Sequence, residues 1–324
     1  MNVMKCLKTS AVFVGTMIGA GFATGREILI FFGKSSPVIP VLSAVICGLF
    51  CYLFLKAGHH GLNVIPYKGG RIMLGSFYLA AFIVFAAMIA ASEEVIYEIF
   101  AINGGGVITA IIIGIICLAF IDGLKLLNLI VVPLIILFVA LLFSKTDFPA
   151  LRTKLNFPNA FAYVALNMFL GGFLIVPDGK SMKKNEMILT AVITAILLSV
   201  MIFMIYVIVL KAGDALMPVV EVARSLNLHV IASILIYLAV ITTMAGCFTA
   251  LTAITMVYIK DKWTAGAAVS IVGILAAIIG FKLIVDIGYP LVSIIGSVYT
   301  VSVIVTVIRG GNRKMTLLPC RCGK

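Results

Sequence analysis

Charge is scarce in this sequence. Asp, Glu, Lys and Arg make up 11% of its 324 residues, against roughly 25% in ordinary soluble domains. Hydrophobic residues make up 63%, more apolar area than so few polar groups can shield from water. Histidine is scarcer still. His59 and His60 sit at the end of one apolar run and His229 at the start of another, and all three read as interfacial. There is no Ser-His-Asp order, H-E-x-x-H pair or phosphate-binding loop, so an enzyme is not expected. Gly19-Ala20-Gly21 has no strand before it, which removes a dinucleotide-binding reading. The seven cysteines are odd in number, and Cys47, Cys51, Cys117 and Cys247 lie inside apolar runs, where a thiol behaves as a small hydrophobe; this excludes a disulfide framework. Cys320 and Cys322 form a C-x-C without a nearby histidine and read as reduced cytoplasmic thiols rather than a metal site. The net charge is +12, but no basic face is interleaved with stacking aromatics, so nucleic acid is not an expected partner.

What is present is one apolar run after another. The hydrocarbon core of a bilayer is about 30 Å thick and takes ~20 apolar helical residues to cross. Ten stretches qualify: 9–33, 38–58, 72–101, 104–121, 126–143, 158–179, 187–210, 229–259, 264–281 and 287–308. The runs lack the alternation of a membrane barrel, so the expected fold is an all-α membrane protein of about ten transmembrane helices. The whole chain, 1–324, reads as a single transmembrane domain with a basic cytoplasmic tail at 309–324. Lys5 and Lys8 before an apolar run imitate a signal peptide, but the run continues past any cleavage site and reads as a retained first span. With the N-terminus cytoplasmic, 16 Lys and Arg residues fall on the inner side and 8 on the outer. That ratio places both termini inside, in a multi-pass protein of the cell membrane.

Ten spans divide into two sets of five, about 9–143 and 158–308, and an odd number per half makes the second half inverted relative to the first. Secondary transporters are commonly built this way, with the site on broken helices at mid-membrane. The corresponding first and sixth spans both carry clustered glycines: Gly15, Gly19, Gly21 and Gly25 in one, Gly171, Gly172 and Gly179 in the other. Glycine weakens a helix by about 1 kcal/mol against alanine. Broken spans expose carbonyls to a cation and amides to an anion. The breaks are therefore expected side by side, with Gly19, Ala20, Gly21, Phe22, Gly171, Gly172 and Phe173 lining the substrate site. A carboxylate or similar anionic group is expected to dock on the amides of Ala20, Gly21 and Phe22. The competing reading of the first span is close helix packing, since Gly15 to Gly19 and Gly21 to Gly25 are each G-x-x-x-G.

The stretch Gly15 to Phe32, GTMIGAGFATGREILIFF, resembles the first helix of YkvI-like bacterial membrane proteins. These belong to the amino acid–polyamine–organocation superfamily, which has the LeuT-like fold. Met88-Ile89-Ala90-Ala91 with Glu98, and Asp286-Ile287-Gly288-Tyr289-Pro290 with Gly296, are similar to later stretches of that family. The sequence departs from the family at Asn103, where a proline is expected, and in its extra pair Glu93 and Glu94. Sodium-coupled members of the wider fold hold the ion between spans one and eight. The resemblance carries that site onto carbonyls of Gly15, Ile18 and Ala239 and the hydroxyls of Thr242 and Thr243. The competing reading is that both threonines merely bond to carbonyls one turn back.

Arg26, Glu27, Glu93, Glu94 and Glu98 fall inside expected spans. A charge at the bilayer centre costs at least ~2.5–3.5 kcal/mol, so such residues face cavities and pair. Glu93 and Glu94 read as deepest, which makes them proton-carrying candidates; Glu98 and Arg26 are further coupling or gate candidates, and the competing reading is that they reach the outer interface. Arg26 with Asp286 is the expected outer gate. The activity these features imply is secondary transport of a small solute, an amino acid or related amine, coupled to sodium or proton. A ligand-sensing receptor subunit on a transporter fold, as in some spore germinant receptors, is the alternative. The expected partners are a small-molecule substrate and the lipid bilayer. No cofactor is expected beyond a sodium ion.

Overall fold

The computed structural model describes residues 2–62, 64, 70–119 and 123–309. The basic tail after Arg309, with Cys320 and Cys322, lies outside the described residues. Among those described there is helix and no strand. Six helices are long and apolar enough to cross a membrane, and shorter apolar helices accompany them.

The first expected span is not one helix. It consists of α1 (Val3–Met17), a short α2 (Ala20–Thr24) and α3 (Arg26–Phe32). Then come α4 (Val38–His59), α5 (Arg71–Phe100), α6 (Gly105–Ala119) and α7 (Gly123–Lys145). The sixth stretch is α8 (Phe157–Gly171), a tighter 3-10 segment (Gly172–Ile175) and α9 (Val176–Gly179). α10 (Lys184–Ala212) is followed by α11 (Pro218–Ser225), α12 (His229–Thr255) and α13 (Lys262–Ala277). The last stretch opens as α14 (Phe281–Leu283) and a π-helical turn (Ile284–Gly288), then runs as α15 (Tyr289–Arg309). Every apolar stretch read from the sequence is thus helical, with boundaries shifted by a few residues. α11 was not expected. It carries Glu221 and Arg224 on one side and buries Val219, Val220, Val222 and Ala223 on the other, a half-polar pattern too short to register as a span.

The burial pattern is that of a protein in lipid. Large apolar side chains point outward: Ile111, Ile112 and Ile115 on α6, Ile196 and Val200 on α10, Ile271 and Leu275 on α13. Small residues open the interior to close helix approach. On α5 the buried face carries Ala80, Ala81, Ala86, Ala87, Ala90 and Ala91, which lets neighbouring backbones approach where water does not drive association.

Two packing groups emerge. α10 lies along α4, and α1 rests on α10, with α8 and α9 against α4. In the other group α12 lies along α5, and α6 and α13 pack on both. The short α2 bridges them by packing on α12, and α15 runs along α8. At the C-terminal end of α4 the approach is backbone to backbone. A side chain on Gly58 would run into the Val176 carbonyl, and one on Gly179 into the Leu55 carbonyl. Gly58→Ala should therefore cost about 1–3 kcal/mol, the usual penalty of overpacking. Gly75, on α5, faces open space, and Gly75→Ala should stabilise by about 0.5–1 kcal/mol through helix propensity. Melting temperatures of the two purified variants in detergent should move in opposite directions.

Candidate functional site

The site starts where α1 stops. The Ile18 amide still bonds back to the Val14 carbonyl at 2.9 Å, but Gly19 is extended at φ −86°, ψ −173°. The next helical bond runs from the Ala23 amide to the Gly19 carbonyl at 2.9 Å. The amides of Ala20, Gly21 and Phe22 therefore have no acceptor inside α2. A second interruption follows at Gly25, which is left-handed at φ 79°. A side chain there would be strained and would also meet Val209 at 2.9 Å.

The sixth stretch changes at the expected glycines in a milder way. Gly171 takes φ −133°, ψ −20°, and Gly172–Ile175 tighten to 3-10 before α9 resumes. The helix is interrupted there but not unwound, so fewer backbone groups are released than at Gly19. The two interruptions are adjacent. A side chain on Gly171 would come within 2.9 Å of the Thr16 hydroxyl, and one on Gly19 would lie 3.5 Å from the Thr243 hydroxyl of α12. Phe173, 8% exposed, meets Phe77 of α5 edge-on at 5.8 Å, and Phe77 meets Phe169 at 6.0 Å. Phe22 is fully buried.

The threonines on α12 differ. Thr242 is buried and donates to the Ala239 carbonyl at 3.0 Å, the local bond that competes with ion binding, although its oxygen keeps lone pairs to offer. Thr243 is half-buried and faces Gly19, and among the described residues its hydroxyl has no hydrogen-bond partner. Carbonyl and hydroxyl oxygens of this kind suit a hard monovalent cation.

The first-span charges have opposite neighbours. Arg26 is 3% exposed and binds Asp286 through two bonds, 2.9 and 2.6 Å. The same guanidinium donates to Asp214 at 2.8 Å and to the Ala215 carbonyl at 2.9 Å. Lys282 adds a contact to Asp214 at 3.2 Å. This knot ties α3 to the loop after α10 and to the π-helical turn before α15. The Arg26 guanidinium, and after it the Lys282 ammonium, hold the Asp214 carboxyl below the usual carboxylate range.

Glu27 turns the other way. Its carboxylate is 6% exposed and accepts from the Asn167 side-chain amide of α8 at 3.1 Å. It also packs against Gly21: a side chain there would lie 2.7 Å from the carboxylate and 3.2 Å from the Tyr289 hydroxyl. Glu93 does something different from what its depth in the sequence implied. Both of its oxygens accept from backbone amides, of Gly104 and Gly106, at 2.7 Å each, which caps the start of α6. Glu94 and Glu98 line a cavity of about 120 Å³ with Glu221 and Arg224, and Arg224 binds Glu98 at 2.6 Å.

Sequence reasoning missed Glu27 as a central residue, together with Asn167, Tyr289 and the second acid on Arg26, Asp214. Gly25 was the available signal. A second interruption two residues before Glu27 rotates α3 away from the direction that a straight helix would give it.

No protein-family model matches the chain, and no curated protein does. Several solved structures match. Mhp1 in its inward-facing conformation superposes with a TM-score of 0.64 at 12% identity, covering 90% of this chain and 73% of its own. Mhp1, described as a nucleobase-cation-symport-1 family transporter, in a closed conformation with bromovinylhydantoin bound, gives 0.57 at 12%, covering 88% and 74%. A manganese transporter of Eremococcus coleocola gives 0.60 at 11%, covering 93% and 77%. The chain has the LeuT-like fold. At these identities the likeness concerns the backbone path, and the chemistry has to be read from the residues above.

Breaking the Arg26 knot has graded costs. Asp286→Asn leaves a buried guanidinium short of a partner. It should destabilise by about 3 kcal/mol, the low end for a broken buried pair, because Asp286 is 30% exposed. Asp214 is 73% exposed, so Asp214→Asn should cost under about 1 kcal/mol. The depressed Asp214 carboxyl contributes stability above its unfolded value of about 3.9 and loses it only as pH falls further. The stability difference between the Asp214→Asn variant and the parent, followed by thermal melts in detergent, should be flat from about pH 5 to 8 and shrink below about pH 4.

Proposed function

We propose that this protein is a secondary transporter of a small solute, coupled to a sodium ion or a proton, at a site formed by the interrupted first and sixth spans. One observation carries the reading: three elements meet at the first-span interruption, with Gly19 facing Thr243 of α12 and Thr16, just before the break, facing Gly171 of α8. Free amides and a short helix start favour an anionic group such as a substrate carboxylate. An amino acid or related amine is the substrate class that fits, its carboxylate on the amides and its body against Phe22 and Phe173. The described helices accommodate ten spans in an inverted 5+5 arrangement, with both termini cytoplasmic in the cell membrane. The transporter fold of Mhp1 and of the manganese transporter supports the same reading, as does the YkvI-like first motif.

In this reading Arg26 closes the outer side. It joins α3, which packs on α10 of the first group, to Asp286 in the π-helical turn, which packs on α5 of the other. The polar contacts of α1 stay within its own group instead: Thr9 donates to Asp178 at 2.8 Å, Lys5 reaches Ser181 and Ser10 donates to the Thr190 carbonyl at 3.0 Å. The outer tie crosses between parts that alternating access moves apart, so it has to open and re-form in each cycle. Reversing both charges, Arg26→Asp with Asp286→Arg, should recover uptake that either single reversal abolishes.

The test of the proposal is uptake by proteoliposomes offered amino acids and small amines under an imposed sodium or proton gradient. Accumulation driven by either gradient supports transport. Binding without uptake under both supports the receptor alternative and removes the proposal. The coupling ion separates on one variant. Sodium coupling through Thr243 predicts that Thr243→Val raises the half-maximal sodium concentration by roughly 5- to 150-fold, the equivalent of a lost ligand worth ~1–3 kcal/mol. Proton coupling predicts uptake indifferent to sodium, dependent on pH and unchanged by Thr243→Val.

A further inference from the structure

We infer that Glu27 is the proton-binding site of this protein, taking up and releasing one proton at the carboxyl group that closes over the first-span interruption. The inference rests on the transport reading for its purpose, but not for its test.

Glu27 is an acid in the interior with no cation of its own. Its neighbour in sequence, Arg26, is committed elsewhere: two carboxylates and a carbonyl occupy that guanidinium. The one hydrogen bond that Glu27 makes among the described residues comes from Asn167, a neutral amide that is itself tied to the Tyr163 carbonyl at 3.0 Å. A carboxylate so placed has lost its hydration and received a single neutral donor in exchange, which disfavours the charge. A proton resolves this directly. The neutral acid keeps the Asn167 bond on one oxygen and gains a donor on the other.

The other titratable groups around it are weaker acids. α8 presents Tyr163, whose hydroxyl is buried without a partner. α15 presents the Tyr289 hydroxyl, converging on the same Gly21 as the carboxylate. α4 brings Cys47 within electrostatic range, with Cys51 next to it, and α12 contributes Cys247 through Tyr289. On α10 the nearest such group, Tyr206, is turned to the Ser35 carbonyl, and in the π-helical turn Asp286 is held by Arg26. Phenols and thiols ordinarily ionise several pH units above a carboxyl, so Glu27 is the group in this cluster that most readily exchanges a proton. The bond that forms and breaks is the carboxyl O–H, with water reached from the opened side as the other partner. No electron moves.

The position also explains what the proton would do. An ionised Glu27 packs against Gly21 and would repel an anionic substrate group docking on the amides there. Protonation removes that repulsion, so proton and anion enter together. This places the proton on Glu27 rather than on Glu93, whose two oxygens are used in capping α6, or on Glu94 in the cavity with Arg224.

The experiment is infrared spectroscopy of the purified full-length protein in detergent, titrated from about pH 5 to 9. The protonated carboxyl stretch should be present at neutral pH, fade on the alkaline side, be missing from Glu27→Gln and persist in Glu94→Gln. A titrating band unchanged in Glu27→Gln, or no protonated carboxyl at any pH in the range, overturns the inference. If Glu27→Gln is not recovered as a monodisperse protein, Asn167→Leu serves instead. Removing the donor that favours the charged form should shift the band's midpoint upward, and an unmoved midpoint overturns the assignment. Because the band is read without substrate, failure of uptake in proteoliposomes would remove the transport reading and leave the proton site standing. Uptake that proceeds with Glu27 always ionised would do the reverse.

Discussion

A helix interrupted inside a bilayer releases backbone amides and carbonyls that lipid cannot satisfy, so something in the protein must receive them. The first span is interrupted twice within seven residues, at Gly19 and at Gly25, and much of the interior is arranged around that fact. α12 offers Thr243 opposite Gly19. α8 offers Gly171 opposite Thr16 and Asn167 opposite Glu27. α15 brings Tyr289 against Gly21. At Gly171 and Gly21 the contact needs a glycine, because the partner occupies the space that a side chain would take. The small residues that look like packing motifs in the sequence are therefore also what lets polar groups approach the break, and the two readings of the first span are compatible.

The double interruption also decides the fate of the two charges that follow it. A continuous helix would place Arg26 and Glu27 about 100° apart on one rod, both near the outer interface. Gly25 at φ 79° resets the direction of α3. Arg26 then reaches a loop and a π-helical turn, while Glu27 folds back over α2 toward α8. The arginine is buried but richly paired, with two acids and a carbonyl. The glutamate is buried and poorly paired. Local strain and incomplete pairing of this sort gather where a protein does work, and the contrast between adjacent residues makes packing convenience a poor account of Glu27.

The helical content and the positions of the apolar stretches were legible because hydropathy over twenty residues is a strong signal and the bilayer forbids alternatives. The glycine clusters marked where the first and sixth stretches change character. The severity of each change was not legible: Gly171 and Gly172 tighten a helix, whereas Gly19 ends one, and clustered glycines mark both. Depth within a span misled for the acids. Glu93 looked buried by counting along α5, but the chain turns at Ala101 and returns its own amides of Gly104 and Gly106 to that carboxylate. Glu27 looked peripheral by the same count. In both cases the error came from treating the span as a straight rod, and in both the determining residues were non-helical neighbours.

The remaining asymmetry concerns how the two ends of the first span are held. α1 is fastened by Thr9, Lys5 and Ser10 to α9, α10 and the turn between them, elements of its own packing group, while α3 is fastened by Arg26 across to the turn before α15. A motion that separates the groups at the outer face must break the Arg26–Asp286 bonds, and α1 can keep its hydrogen bonds while doing so. The charged tie is the stronger interaction and also the one that water can replace, since Asp214 and Asp286 already have solvent access. Hydration of that knot lowers the cost of opening it, whereas the fastening of α1, made by Thr9 on Asp178, Lys5 on Ser181 and Ser10 on the Thr190 carbonyl, lies within its own packing group. The interruption at Gly19 lies between α1, which packs on α10, and the segment that Arg26 ties to the turn before α15.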